Sequence, residues 1–577
     1  MPAGVAVLAL GVLLGLGVLV AWLRNRPAAG ADGPKRVAVL PFENVGDPDD
    51  AYFADGVTDA LRGKLAALPN LQVTARSSSS QYKHTAKSPQ QIGRELGVQY
   101  LLTGTVRWAK GVGGQSRVQV SPELVQVSTA STNWQEPFDA ALTDVFQVQA
   151  DVAARVAEAL GVALGAEERE RLSERPTDNL AAYDAFLRGE QAAEGLGTQD
   201  PVALRQAIDH YARAVGLDSG FALAWAQLSR AYSLDYFGAP TSTAAAAARH
   251  AAERALALAP KQPEGYLALG EYYANVQYDH APALEQYARG RGLAPKDARL
   301  LASVAGSQMS LGQFEEGLAQ LRDAEVLDPR SIRIATAVAS GLLSLRRYPQ
   351  ALASAERALT LAPANISVIH VKAMIHLAQG DLSGARAVLR AVPREVDPAA
   401  LVAYVATTND LYWVLDDAQQ LLLLRLSPGP FGDNRAYWGL SLAEIHALRG
   451  DSALARAYAD SGRLDYEARL RSVPQAAMNH TFLGVALAYL GRKAEAIREG
   501  ERGVALLPIS RDAWLGAYLQ HVLAWIYIRV GEHERALDRL EPLLKIPYYL
   551  SPAWLRIDPR FAPLRGNPRF ERLVNGS

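Results

Sequence analysis

Five prolines set the frame for this chain: Pro260, Pro295, Pro329, Pro363 and Pro398 recur at spacings of 35, 34, 34 and 35 residues. Four of them stand in the phrase Leu-Ala-Pro or Leu-Asp-Pro, which ends a helix because proline lacks the N–H that a further turn needs. A second ruler agrees. Gly312, Gly380, Gly450, Gly491 and Gly531 each close a helical stretch, and the residues five positions later are Gly317, Ala385, Ala455, Ala496 and Ala536. Glycine supplies the backbone freedom that a helix end demands, and the small residue after it lets two helices approach closely. One such helix pair cannot bury its apolar face alone. The pairs must therefore stack into an array with an inner, concave wall.

The period is that of tetratricopeptide repeats, which this region resembles. The best copy runs from Glu264 to Pro295, where Tyr266, Leu269, Gly270, Tyr273, Tyr287 and Pro295 fall on or beside the consensus places. The resemblance implies an all-α superhelical solenoid over residues 178–549, of about nine to ten units, with insertions near Tyr236 to Ala244 and Ser427 to Arg435. The tail, 550–577, carries Trp554, Phe561 and Phe570 and is expected to cap the last apolar face.

At the other end, Val5 to Leu23 is an uncharged apolar run that, as a helix, matches a hydrocarbon core of about 30 Å. Residues 5–23 are expected to form a transmembrane helix and 24–34 a linker. A cleaved signal peptide is the rival, since Ala29, Gly30 and Ala31 offer small residues, but Arg24 and Arg26 stand where a signal carries no charge. Positive charges at Arg24, Arg26, Lys35 and Arg36 all follow the run and favour a cytoplasmic bulk.

Residues 35–166 read as a small α/β domain with a mixed sheet. Arg36 to Leu40 is a buried strand stopped by Pro41, and Phe53, Val57, Leu61, Leu65 and Leu68 recur at helical spacing. Further strands are expected at Leu71 to Thr74, Tyr100 to Trp108, Arg117 to Val127 and near Asn133 to Phe138, the middle two joined by a Gly111 to Gly114 turn. Helices are expected at Ser88 to Leu96 and from about Thr143 to Leu164. Ala38-Val39-Leu40-Pro41-Phe42, Gly46-Asp47, Tyr52-Phe53-Ala54-Asp55-Gly56, Ala75-Arg76-Ser77-Ser78, Gln91 to Gly97 and Gly104-Thr105-Val106-Arg107 resemble the TolB-like amino-terminal domain. Val127 to Asn133 and Pro137 depart from that pattern. The resemblance implies a bacterial envelope protein, single-pass in the inner membrane with its bulk extracytoplasmic. In that family a kinase, cyclase or winged-helix domain often supplies an output, and none is expected here.

Composition narrows the chemistry. The 59 Lys and Arg against 60 Asp and Glu leave no basic field for nucleic acid, and the absence of Cys removes thiolate metal sites and cysteine nucleophiles. The 10 His form no zinc-binding pattern. Asp47, Asp49 and Asp50 read as a turn before a helix rather than a cation site, Gly111 to Gly114 lacks the lysine of a phosphate loop, and Ser77 to Ser80 lacks a nucleophile elbow. No enzyme, cofactor, metal site or small-molecule substrate is expected.

What remains is a surface. The consensus places Glu264, Glu271, Asn275, Arg299, Arg333, Thr336, Ser340 and His370 on the inner face of the first helices. Two readings of that set stand, a groove for a polypeptide segment or an ordinary solvated face. The first makes the chain a protein-binding scaffold or sensor. An alternative role is the ligand-sensing part of a signalling receptor whose output lies on a separate chain.

Overall fold

A computed structural model of the chain describes residues 34–109, 116–194, 201–238 and 240–575. The protein is mostly helical, with a small mixed sheet and a region of helical repeats.

The sheet contains β1 (Lys35–Val39), β2 (Glu43–Asn44), β3 (Leu71–Val73), β4 (Tyr100–Ala109), β5 (Arg117–Gln126), β6 (Ser131–Gln135) and β7 (Phe138–Ala141). Its main order is β3-β1-β4-β5-β6, with β2 beside β4 and β7 beside β5. The first three partnerships are parallel, because α1 (Ala51–Ala66) and α3 (Pro89–Leu96) cross between strands, while β4 and β5 pair antiparallel from Tyr100↔Gln126 to Ala109↔Arg117. Between those helices lies the single turn α2 (Arg76–Ser79). Ser88 starts α3 with a reciprocal cap: its hydroxyl accepts from Gln91 N, and its own N–H donates to Gln91 Oε1.

Alternation along the strands splits the core. Val37, Val39, Leu102, Val118, Val120 and Leu124 face α1 and α4 (Val145–Ala159), whereas Ala38, Leu40, Leu101 and Val125 face Ile92 and Leu96 of α3. Two expectations shift here. The single strand near Asn133 to Phe138 is two strands, β6 and β7, because Pro137 between them has no N–H for the ladder. The long final helix is α4 followed by a separate α5 (Ala166–Ser173). The Gly111 to Gly114 turn lies outside the described residues.

The repeats begin with α6 (Leu180–Glu194) and α7 (Pro201–Leu217). Further pairs follow: α8 (Ala222–Gly238) with α9 (Ser242–Leu258), α10 (Pro263–Asn275) with α11 (His280–Leu293), α12 (Ala298–Ser310) with α13 (Phe314–Leu327), and α14 (Ile332–Ser344) with α15 (Tyr348–Leu361). The sixth to tenth are α16 (Ile366–Ala378) with α17 (Leu382–Arg390), α18 (Pro398–Thr407) with α19 (Asp417–Leu423), α20 (Arg435–Leu448) with α21 (Ser452–Ser472), α22 (Ala477–Tyr489) with α23 (Lys493–Leu506), and α24 (Leu515–Arg529) with α25 (His533–Lys545). The tail adds α26 (Pro552–Ile557) and α27 (Pro568–Asn575). Gly312, Gly380, Gly450, Gly491 and Gly531 all take the left-handed backbone, with φ between 75° and 85°.

One correction concerns the membrane. Among the described residues no helix is long and apolar enough to cross a bilayer, and the run Val5 to Leu23 lies outside them. Even the longest described helix, α21, mixes arginines, aspartates and Glu467 among its apolar residues, because it packs one stripe inward and keeps the rest wet. The expected fold class with an N-terminal transmembrane helix, and the expected single-pass inner-membrane location, are therefore not supported.

The tenth pair and the tail fold back onto the turns of earlier units. Arg511 Nη2 donates to Gln277 O at 2.7 Å, Ala513 N to Ser310 O at 2.6 Å, Arg346 Nη2 to Leu544 O at 2.8 Å and Ser551 Oγ to Ala378 O at 2.6 Å. These contacts engage successive turns between first and second helices, from the third unit to the sixth. Trp554, Phe561 and Phe570 are buried in the tail.

Candidate functional site

The residues expected on the inner face sit in two places. Glu264, Arg299 and Arg333 each stand second in their helices, α10, α12 and α14, and so form a column along neighbouring first helices, whereas Arg230, ninth in α8, matches Glu271, ninth in α10. Sequence reasoning did not single out Arg230, because the insertion near Tyr236 to Ala244 breaks the ruler between α8 and α10.

A chain of polar contacts runs from the sheet region to α8 and α10. Asp59 on α1 pairs with Arg76 on α2 at 2.7 Å, and Arg76 pairs with Glu190 on α6 at 3.1 Å. Glu190 accepts from Tyr211 OH at 2.7 Å and from Gln227 Nε2 at 2.8 Å. Arg230 then donates to Gln227 Oε1 at 2.8 Å and from its Nε to Glu271 Oε2 at 2.7 Å. The Glu271 carboxylate holds Arg230 firmly protonated, above the usual arginine range.

Farther along, pairing thins. Glu264 is half-buried, and its loss of water raises its pKa against the opposing pull of Arg299. Arg299 reaches Asp297 only at 3.6 Å. Arg333 is exposed to water, yet surrounding protein lowers its pKa, and among the described residues no carboxylate lies within ion-pair distance of it. Asn275 is exposed and Ser340 half-buried, while the Thr336 hydroxyl donates to Ile332 O of its own helix at 2.7 Å. His370 lies apart. It is buried edge-on to Tyr404, its Nε2–H donates to Thr408 O at 3.0 Å, and burial pushes its pKa down to about 4.

The sheet region also touches the turns that precede α12 and α14. The hydroxyls of Ser77 and Ser78 both donate to Asp328, in the turn between α13 and α14, and Ala75 N donates to Leu327 O at 3.0 Å. Arg330 donates to Gln81 Oε1 at 2.8 Å and pairs with Glu95 at 3.1 Å; Lys296 Nζ donates to Pro69 O at 3.1 Å. A narrow cleft lined by Tyr52, Asp55, Asp59, Arg76, Leu187 and Glu190 marks where the sheet region meets α6. The arrangement offers spare guanidinium donors on Arg299 and Arg333 beside acceptor carboxylates, which suits hydrogen-bonded recognition of a polar chain. Among the described residues no cluster of three or more His, Asp or Glu could hold a metal ion.

Comparison with known proteins identifies the repeats. A family model described as tetratricopeptide repeat matches residues 342–406, and the C-terminal region carries such repeats. A protein of Rhizobium meliloti (strain 1021) named Putative adenylate cyclase 3 is 35% identical over 213 residues, 36% of this chain and 35% of its own. The chain thus spans about a third of the length of that curated relative. Among solved structures, a thermophilic TPR protein of Thermus thermophilus shares 23% identity at a TM-score of 0.30, covering 34% of this chain and all of its own. PilF of Pseudomonas aeruginosa shares 19% at a TM-score of 0.26, covering 41% of this chain and 89% of its own.

Proposed function

We propose that this protein is a scaffold or sensor that binds a polypeptide along the first helices of its third to fifth repeats and performs no catalysis itself. The observation that carries this reading is the column Glu264, Arg299, Arg333, in which the two guanidiniums keep donors free for an outside acceptor. Extended chains offer a row of carbonyls and carboxylates at matching intervals, and arginine engages such groups with two parallel hydrogen bonds. Glu271, Asn275, Thr336 and Ser340 supply the neighbouring polar wall. We assign the sheet region to the TolB-like domain on the motifs that run from Ala38 to Arg107.

Affinity capture with the full chain tests this. A defined polypeptide retained by the wild type and lost with Arg299→Glu/Arg333→Glu is expected. Equal retention by both forms, or no retained polypeptide, contradicts it.

A second reading has its own support in the partial identity with the named cyclase relative. There the repeats serve as the sensing part of a signalling receptor whose output is carried by another chain. Co-purification of a chain bearing a cyclase, kinase or winged-helix domain favours it over the scaffold.

A further inference from the structure

Three buried carboxylates and one guanidinium meet where the tail seats on the array. Asp410 follows α18, Glu444 lies on α20, and Asp558 and Arg560 follow α26 in the tail. The arginine already has its counter-ion: Nε donates to Asp558 Oδ1 at 3.0 Å and Nη2 to Asp558 Oδ2 at 2.6 Å, while its Cζ lies 3.6 Å from the ring centre of Trp525 on α24. Asp558 also accepts from Trp554 Nε1 at 3.2 Å. Among the described residues neither Asp410 nor Glu444 forms an ion pair. Asp410 accepts from Tyr518 OH, and among the described residues Glu444 takes part in no hydrogen bond. An anion buried without a partner is costly enough that such a carboxyl keeps its proton instead. Burial pushes Glu444 well above the usual carboxylate range, and the nearby Asp410 adds to the rise against the pull of Arg560.

The groups that face this pair hold their charge near neutrality. His521 on α24 stays neutral, since burial and the nearby Arg560 push it well below the ordinary histidine value. Burial raises the phenols of Tyr412, Tyr489, Tyr518, Tyr548 and Tyr549, and likewise those of Tyr437 on α20 and Tyr466 on α21. Arg529 lies over the Tyr489 ring at 4.3 Å, and Arg386 on α17 donates to the carbonyls of Val414 and Trp413. Arg469 on α21 pairs with Asp465 at 2.8 Å. His446, two residues beyond Glu444, stacks on Tyr458 instead. Asp410 and Glu444 are therefore the groups here whose charge changes between about pH 5 and about pH 8. The seat around them is aromatic: Trp554 meets Trp413 at 6.3 Å between ring centres, and Phe561 stacks on His521 at 5.8 Å.

We propose that Asp410 and Glu444 form a proton-operated fastening: the tail stays seated on the seventh, eighth and tenth units while the pair holds a proton, and loosens when both carboxylates ionise. Each carboxyl binds its proton more tightly in the closed seat than in the open one, so the closed form loses stability as pH rises through the range in which the pair titrates. The wall of the third to fifth units takes no part, so this inference stands apart from the polypeptide-binding reading.

Hydrogen exchange of the full chain tests it, read as protection relative to an unstructured chain at the same pH. The seat is followed through the amides of Leu555, Asp558 and Phe561, which donate within the tail, and the sheet through those of β1 and β4. Between about pH 5 and about pH 8 protection in the tail is expected to fall at least about ten-fold, the effect of one ionisation opposed by a single pKa unit, while the sheet keeps its own. In Asp410→Asn/Glu444→Gln, which ionises at neither position, tail protection should agree within about two-fold at the two pH values. Equal tail protection at both pH values in the native chain overturns the fastening, as does a fall of the same size in the double variant or one shared by the sheet. If the double variant does not fold, Glu444→Gln alone must lessen the fall at least about three-fold, and an undiminished fall overturns the proposal.

Discussion

His280 Nε2 lies 3.2 Å from Asp512 Oδ2, with both side chains buried, although 232 residues separate them in sequence. The pair fastens the start of the tenth unit to the second helix of the third. Around it, Trp514 stacks on Phe314 with ring centroids 5.8 Å apart, and Arg511 reaches the carbonyls of Gln277 and Tyr278. A repeat array held only by nearest neighbours has no such contacts. This one is closed.

Asp512 has a second task, since its other oxygen accepts from Trp514 N at 2.8 Å and Leu515 N at 2.9 Å and so starts α24. Asp512→Ala therefore removes a cap worth about 1 kcal/mol and leaves His280 short of a partner at about 1–3 kcal/mol more. His280→Ala spares the cap and is expected to cost less. Urea unfolding of both variants checks the order.

Arg346 stands where other units place glycine, with φ at 57°. It tolerates about 1–2 kcal/mol of backbone strain, and its guanidinium holds Leu544 O and Leu550 O across the closure. Arg346→Gly relieves the strain but is expected to destabilise by about 1–2 kcal/mol net, because hydrogen bonds from a charged donor outweigh it. Hydrogen exchange should then rise at 544–553 and stay unchanged in the sheet region.

Two buried groups oppose each other in pH. Burial pushes Asp410 up to about 6, despite the attraction of Arg560 and the hydrogen bond from Tyr518, while Asp558 adds repulsion. The folded form holds its proton more tightly, so stability falls as pH rises from about 4 to 6 and the penalty is complete above that. His370, lowered to about 4, works the other way: its contribution is whole above the ordinary histidine value and is lost as pH falls through 4. Asp410→Asn should stabilise by roughly 1–3 kcal/mol at pH 7.5 and much less at pH 4. His370→Gln should flatten the acid limb. Melting temperatures across that range test both signs.

Gly317 and Gly306 predict opposite outcomes. A Cβ on Gly317 would sit 2.7 Å from Met309 Cγ and 2.8 Å from Ala305 O, whereas Gly306 has open space around it. Gly317→Ala is expected to cost about 1–3 kcal/mol, and Gly306→Ala to gain about 0.5–1 kcal/mol by raising helix propensity. Thermal denaturation separates them.

Much of the repeat region was legible because proline and glycine punctuate it at a fixed interval, and the strands because the apolar run Val37 to Leu40 stops at Pro41 and apolar residues alternate along β5. The closure was not. His280 with Asp512, or Tyr518 with Asp410, leaves no local pattern, and at Tyr278 and Arg346 the ruler itself is broken by non-glycine residues in left-handed backbone. The places of Glu264, Arg299 and Arg333 follow from the period, whereas the contacts of Arg76 with Glu190 and of Ser77 and Ser78 with Asp328 join distant segments and leave no local pattern. The seventh unit also departs from the pattern, since Leu411 to Leu415 is buried where the turn and the start of a second helix were expected, and α19 is short.

On the proposed function, the first-helix wall of the third to fifth units receives a polypeptide. Photo-crosslinking from the full chain addresses it most directly, with a benzophenone amino acid at Ser340 on the wall and, in a second protein, at the exposed Leu454 on α21. We predict a discrete crosslinked polypeptide from Ser340 that is lost with Arg299→Glu/Arg333→Glu and missing from Leu454. The same products from both positions, or none from Ser340, contradict the claim.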